Sequence, residues 1–329
     1  MPIAIFGSFE SGLIYAIMAL GVYLSFRILD FPDLTVDGSF VTGAAVCAVM
    51  IVNGYPPALA TITALFVGFL AGTVTGLLHT KGKINPLLSG ILMMIALYSI
   101  NLRIMGRSNV PLLQEETLFT NLLHVLAPID EMFKSFMSFT PKTWSVVLSM
   151  LILVTLLKWI LDYFLKTEVG LALRAVGDNE QMIQSFSANT DLLKIIGLGL
   201  SNALVALSGA LIAQYNGFSD IGMGIGMIII GLASVIIGEA LIGSKTIFRA
   251  TLAVIIGAIV YRLIVAFALR FNFFETGDLK LITACIVILA LTIPRYIDKK
   301  REKKRKILRR REVMEKKRGE EVASTKANI

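Results

Sequence analysis

Apolar residues in this chain run in long blocks separated by short polar breaks. Blocks approaching or exceeding the roughly 20 residues that cross a bilayer as a helix lie at 8–26, 38–53, 58–78, 85–102, 143–165, 192–213, 222–242, 247–268 and 279–294. Two are atypical. The block at 38–53 is short, and 222–242 (GMGIGMIIIGLASVIIGEALI) is dense in glycine, as expected of a broken or re-entrant segment buried against protein, not lipid. The pattern predicts an all-α polytopic bundle of eight or nine spans in a transmembrane domain over 1–294. An external loop over 103–142, with a short surface helix, and a polar loop over 166–191 complete the domain.

Composition agrees, because 56% of the 329 residues are hydrophobic and only 16% charged. The formal charge of +8 is misleading, since residues 295–329 alone hold 15 Lys or Arg against 6 Asp or Glu. This basic tail reads as a cytoplasmic extension beside anionic headgroups. No basic stripe with interleaved aromatics runs through the rest of the chain, which argues against a nucleic-acid partner. The first apolar block has no Lys or Arg before it and more spans after it, so it reads as a first transmembrane helix and not a cleaved signal. With nine crossings the loops and tail on one side hold 24 Lys or Arg against 6 on the other. The positive-inside bias therefore predicts an external N-terminus and a cytoplasmic tail. Cys47 and Cys285 sit in apolar runs without metal-ligand spacing, and no metal or cofactor site is expected.

The stretch KTEVGLALRAVGDNEQMIQSFSANTDLLKIIG, 166–197, is too polar to span. Asp178 with Gln181 three positions on resembles a capping box, and Met182, Ile183 and Phe186 then share one side of a short helix. Asn189, Thr190 or Asp191 can cap the following membrane helix, tying the two together. Either this short helix lies on its own bundle as an ordinary surface loop, or it offers its apolar side to a cytoplasmic partner.

These residues resemble the cytoplasmic loop of the branched-chain amino-acid and ribose-type ABC permeases, in which G-x-x-x-R-A-x-G-x-N precedes a coupling helix. Gly170, Arg174, Ala175, Gly177 and Asn179 match it. Three further segments match in order: FPDLTVDGS at 31–39, with Asp37 where the ribose type has no acid; KINPLLSGILMM at 83–94; and SGALIAQYNG followed by GLASVIIGEALIG, 208–243. The likeness covers roughly 8–294 and leaves out the loop 103–142 and the tail. It is nearest to the single-permease systems for tryptophan or tyrosine. It implies a permease subunit, without its own ATPase site, that imports a small solute such as an amino acid. The partners implied are a cytoplasmic ATP-binding subunit, an extracellular substrate-binding lipoprotein and a second permease copy, in a homodimer. Residues 170, 174, 177–179, 182, 183 and 186 would couple to the ATPase.

A solute pathway through lipid should be lined by polar side chains. Asp37, Asn85, Ser89, Asn101, Asn202, Gln214, Asn216, Glu239 and Arg262 are the candidates, although any of the uncharged ones can serve as interhelical glue. Arg262, flanked by IIGAIVY and LIVAFAL, could pair with Glu239 or Asp37 or meet a substrate carboxylate. GEALIGSKT at 238–246 is no phosphate loop, because Ser244 separates its second glycine from Lys245. His79 and His124, the two histidines, lie at a span end and in the external loop, so no Ser–His dyad assembles. An ion-coupled carrier is the competing expectation; it needs paired acids or unwound helices for its ion.

Overall fold

A computed structural model describes residues 2–125, 144–185 and 188–268, together with single positions between 281 and 292. The chain separates into two compact units, Met1–Ala284 and Cys285–Ile329. The first unit begins with α1 (Pro2–Tyr23), prolonged by a π-helical turn over Leu24–Ile28, then α2 (Thr35–Val52), α3 (Pro57–Thr80) and α4 (Pro86–Met105). Next come strand β1 (Asn109–Pro111), α5 (Leu118–Val125), α6 (Trp144–Phe164), α7 (Glu168–Asp178) and α8 (Glu180–Ser185). The series closes with α9 (Thr190–Asn216), β2 (Phe218–Asp220), α10 (Met227–Ile242) and α11 (Ile247–Ala268).

Among the described residues, seven helices are long and apolar enough to cross a membrane, and α10 is a shorter apolar helix. The expected block at 279–294 and the tail fall outside the described residues. The expected surface helix in 103–142 is α5, and the remainder of that loop, 126–143, also lies outside them.

The α9 helix is the axis of the bundle. Small residues let its neighbours approach to backbone contact, as lipid-embedded packing favours. A Cβ on Gly72 of α3 would lie 2.1 Å from Leu198 O, and one on Gly43 of α2 would lie 1.9 Å from Ala206 O. Hydrogen bonds from α9 hydroxyls to backbone carbonyls fix α1 antiparallel to it, Ser208 Oγ to Ile14 O at 2.8 Å and Ser201 Oγ to Gly21 O at 2.7 Å. Accordingly α1 and α9 are 89% and 83% buried along their apolar windows, whereas α4 is 28% buried. The outer faces of α3, α4 and α6 carry exposed apolar rows such as Ile62, Phe66 and Leu70, or Ile152, Leu156 and Trp159. Such faces suit lipid or another subunit, not water.

Two helices begin inside the bundle. Segment 29–34 turns back after the π-turn, with Asp30 at φ +51°, so that Asp33 Oδ2 accepts from Asn202 Nδ2 at 2.7 Å. Asn202 is twelve residues into α9, about 18 Å along its axis at 1.5 Å per residue, so α2 starts near mid-height. The second is α10, reached through a glycine-rich stretch, 221–226, that makes turns instead of helix. This is the broken segment expected from the glycine pattern. At one end of the bundle β1 and β2 pair antiparallel, Asn109 opposite Asp220; at the other lie α7 and α8.

Candidate functional site

Because α10 starts within the bundle after a run of turns, its first amides have no carbonyl one turn earlier to bond and need partners. Its own sequence supplies none, as residues 221–226 are apolar or glycine and Gly226 is left-handed at φ +88°. Asp37 from α2 supplies the cap: Gly226 N donates to Oδ2 at 2.9 Å and Ile228 N to Oδ1 at 2.8 Å. The carboxylate also meets the positive end of the helix dipole. Gly224 permits the approach, since a Cβ there would sit 2.2 Å from Asp37 O.

Beside this cap is a cavity of about 420 Å³, within the usual range for small-molecule sites. Asp37 and Asn101 are its polar residues of note, and Met94, Ile95, Tyr98 and Ile225 form much of the apolar wall. Asn101 is fully buried. Its Nδ2 donates to Gly38 O at 3.2 Å, while its Oδ1 has no partner. The three ion pairs found among the described residues join other groups, and none involves Asp37.

Of the nine side chains expected to line a pathway, then, Asp37 and Asn101 reach this cavity and the other seven do not. Asn85 is the N-cap of α4, accepting from Leu87 N at 3.0 Å. Ser89 donates to Pro86 O, and Asn202 is committed to Asp33 and Leu198 O. Gln214 joins Cys47, Thr61 and Leu118 N, and Asn216 ends α9 on the surface. Glu239 pairs with Arg27 at 2.9 Å, not with Arg262. Arg262 donates to Ser11 Oγ at 3.2 Å and lies 4.6 Å over the Tyr15 ring, so neither Glu239 nor Asp37 is its partner. Polar groups that the sequence pattern does not single out include Asp33, Glu10 with Tyr215 at 2.8 Å, and the buried Lys158–Asp162–Thr251 cluster between α6 and α11.

The other candidate region is the elbow of α7 and α8. Thr167 caps α7, accepting from Gly170 N at 3.3 Å. Gly177 seats α7 on the end of the α1 π-turn, where a Cβ would lie 2.0 Å from Ile28 O. The expected capping box at Asp178 does not form: Asp178 closes α7, and Asn179 accepts from Met182 N at 3.0 Å to start α8 as a simple N-cap. Leu173 and Val176 face inward, Arg174 and Ile183 are half-buried, and Met182 is exposed; Phe186 lies outside the described residues. No residue of α8 is buried. Even so it is anchored, through Lys194 Nζ, which reaches Glu180 Oε1 at 2.6 Å and His79 Nε2 at 3.3 Å, and of the three residues able to cap α9 it is Asn189 that does so.

Residues 4–292 match the family model described as "Branched-chain amino acid transport system / permease component", a match that takes in the loop 103–142 lying outside the motif likeness. The chain is 46% identical to the tyrosine transport system permease protein of Clostridioides difficile (strain R20291), over 85% of this chain and 87% of that one. It is 34% identical to an uncharacterized protein of Rickettsia prowazekii (strain Madrid E), over 86% and 95%. It is 28% identical to the autoinducer 2 import system permease protein LsrC of Salmonella paratyphi B (strain ATCC BAA-1250 / SPB7), over 74% and 66%.

Proposed function

We propose, since this chain belongs to the family of branched-chain amino acid transport system permease components and is a multi-pass ABC permease subunit, that it imports an amino acid, tyrosine or a close relative. In this reading an external binding protein delivers the solute and a cytoplasmic ATPase drives the cycle, with ATP bound by that partner and not by this chain. The N-terminus and the β1–β2 end face outward; the α7–α8 elbow and the basic tail face the cytoplasm. A second copy packs against the exposed flank of α4, so that the Asp37 cavity opens onto a pathway between the two subunits.

The observation that carries the reading is the elbow. Short helix α8 presents Met182 to solvent with none of its residues buried, yet α7 is wedged on Ile28 and α8 is pinned by Lys194. A rigidly mounted, uncovered surface at the foot of α1 and α9 can pass a push from a motor directly into the bundle axis. Negative charge placed on the elbow tests it. Met182→Asp and Arg174→Glu should abolish co-purification of the ATPase subunit and reduce ATP-driven uptake at least tenfold while leaving the thermal stability of the permease nearly unchanged. Retention of the ATPase by both variants contradicts the reading.

One observation favours an ion-coupled carrier instead. Asp33 is fully buried at the break before α2, held by Thr35 N and Asn202 and by no Lys or Arg among the described residues, and an acid beside an unwound helix suits a coupling ion. Uptake that follows an ion gradient without ATP would decide for that alternative.

A further inference from the structure

We infer that the Asp37–Asn101 cavity is a recognition site for the primary ammonium group of the transported solute, with Asp37 as its counter-charge. The inference rests on the amino-acid import reading above and specifies the chemistry of its pathway. Three independent features point the same way. First, Asp37 gives one hydrogen bond site on each carboxylate oxygen to the α10 amides. Each oxygen keeps a further lone pair, and the half-buried side chain faces the cavity.

Second, Asn101 lines the same cavity, and its buried carboxamide oxygen has no partner, an arrangement that is costly unless something donates to it. Its Nδ2 is held at the carbonyl of Gly38, the residue next to Asp37. Among the described residues, Asp37 brings the only charged side chain of the lining, and the Ser99 and Tyr98 hydroxyls beside it can accept as well as donate, so the matching ligand is a donor bearing positive charge. An ammonium carries three N–H donors and no acceptor. Third, apart from Ser99 the remaining wall, which includes Met94, Ile95, Tyr98 and Ile225, is apolar and aromatic, which suits a primary amine carrying a large apolar side chain. When such an ammonium arrives it shares the carboxylate with the α10 amides, so solute occupancy and the seating of α10 are coupled.

The test is thiol protection on the full-length chain in native-like membranes. Ser99 also lines the cavity. A Ser99→Cys probe in a Cys285→Ser background reports occupancy as the rate of maleimide labelling. L-tyrosine and tyramine, both ammonium-bearing, should slow labelling at least threefold; 3-(4-hydroxyphenyl)propanoate, which lacks the amine, should not. Asp37→Asn retains an oxygen to cap α10 and so should fold normally while losing the protection. Protection by the desamino acid, protection by sodium ions alone, no protection by any probe, or full protection persisting in Asp37→Asn each overturns the inference. Labelling needs no ATPase, so the site can fail while the importer reading stands, and protection can persist should ATP-driven import fail.

Discussion

The two apolar helices α9 and α10 begin in different ways. Asn189 caps α9 from three residues upstream of the amide it serves, in the polar loop at the end of the bundle. By contrast α10 begins among other helices and is capped by Asp37, 189 residues earlier in sequence. The first helix carries its own start signal and is locked along its length by glycine contacts. The second is packed as closely along its length, with Gly238 against Ala253 O and Gly231 against Val22, but its first turn is held from α2. A cap made across helices is a joint, and a cap made locally is a terminus; the first turn of α10 depends on where α2 stands, and that of α9 does not.

Overpacking the scaffold should have the largest effect. Gly43→Val places a side chain where Ala206 O stands 1.9 Å from the first added carbon, and backbone cannot yield as a side chain tip can. The variant should fail to yield monodisperse protein in mild detergent, as read by size-exclusion profile. A well-folded Gly43→Val protein would mean that α9 is less rigid than described.

Removing the joint is the next strongest. Asp37→Ala takes away both acceptors at α10 and should cost about 1–2 kcal/mol, the upper range for a lost N-cap. Hydrogen exchange at 226–230 should accelerate while α9 amides stay protected. Uptake should fall further than stability alone explains, because the cavity loses its charge at the same time.

Asn189→Ala is the smallest change and the control. It also removes a cap, at a cost of about 1 kcal/mol, but one that touches only the first turn of α9. Thermal melting should drop by a few degrees with uptake per folded molecule unaltered. Equal losses of uptake from the two cap variants would erase the distinction between joint and terminus.

Much of this is legible in the chain because lipid imposes a simple code. Long apolar blocks locate α1 to α4, α6, α9 and α11 within a few residues, and glycine density marks the approach to α10 as broken. Asp37 stands out as an acid within FPDLTVDGS at the start of an apolar run. Its partner cannot be read, since nothing in 221–228 announces that its amides are waiting for a carboxylate from α2. Sequence reasoning misassigns local chemistry where a polar residue has two uses. Asn85, directly before Pro86, carries a helix-start signal that outweighs its reading as a pathway group, and Asp178 and Asn179 can both cap, so spacing alone picks the wrong one. Glu10 sits within the first apolar block, and Lys158 with Asp162 has the i, i+4 spacing of a pair; both signals are present, and a search for intramembrane charges would find them. Asp33 gives no signal, because a polar residue in a short turn is ordinary until the fold carries that turn to mid-height.

Docking of an ATPase at α7–α8 to drive amino-acid import is tested by uptake of radiolabelled L-tyrosine into proteoliposomes holding the complex purified through a tag on this chain, with binding protein added outside and ATP enclosed. A phosphate-loop ATPase should co-purify, and accumulation should require both ATP and the binding protein. Accumulation driven by an ion gradient with neither present, or a chain that purifies alone from membranes in which known complexes survive, would contradict it.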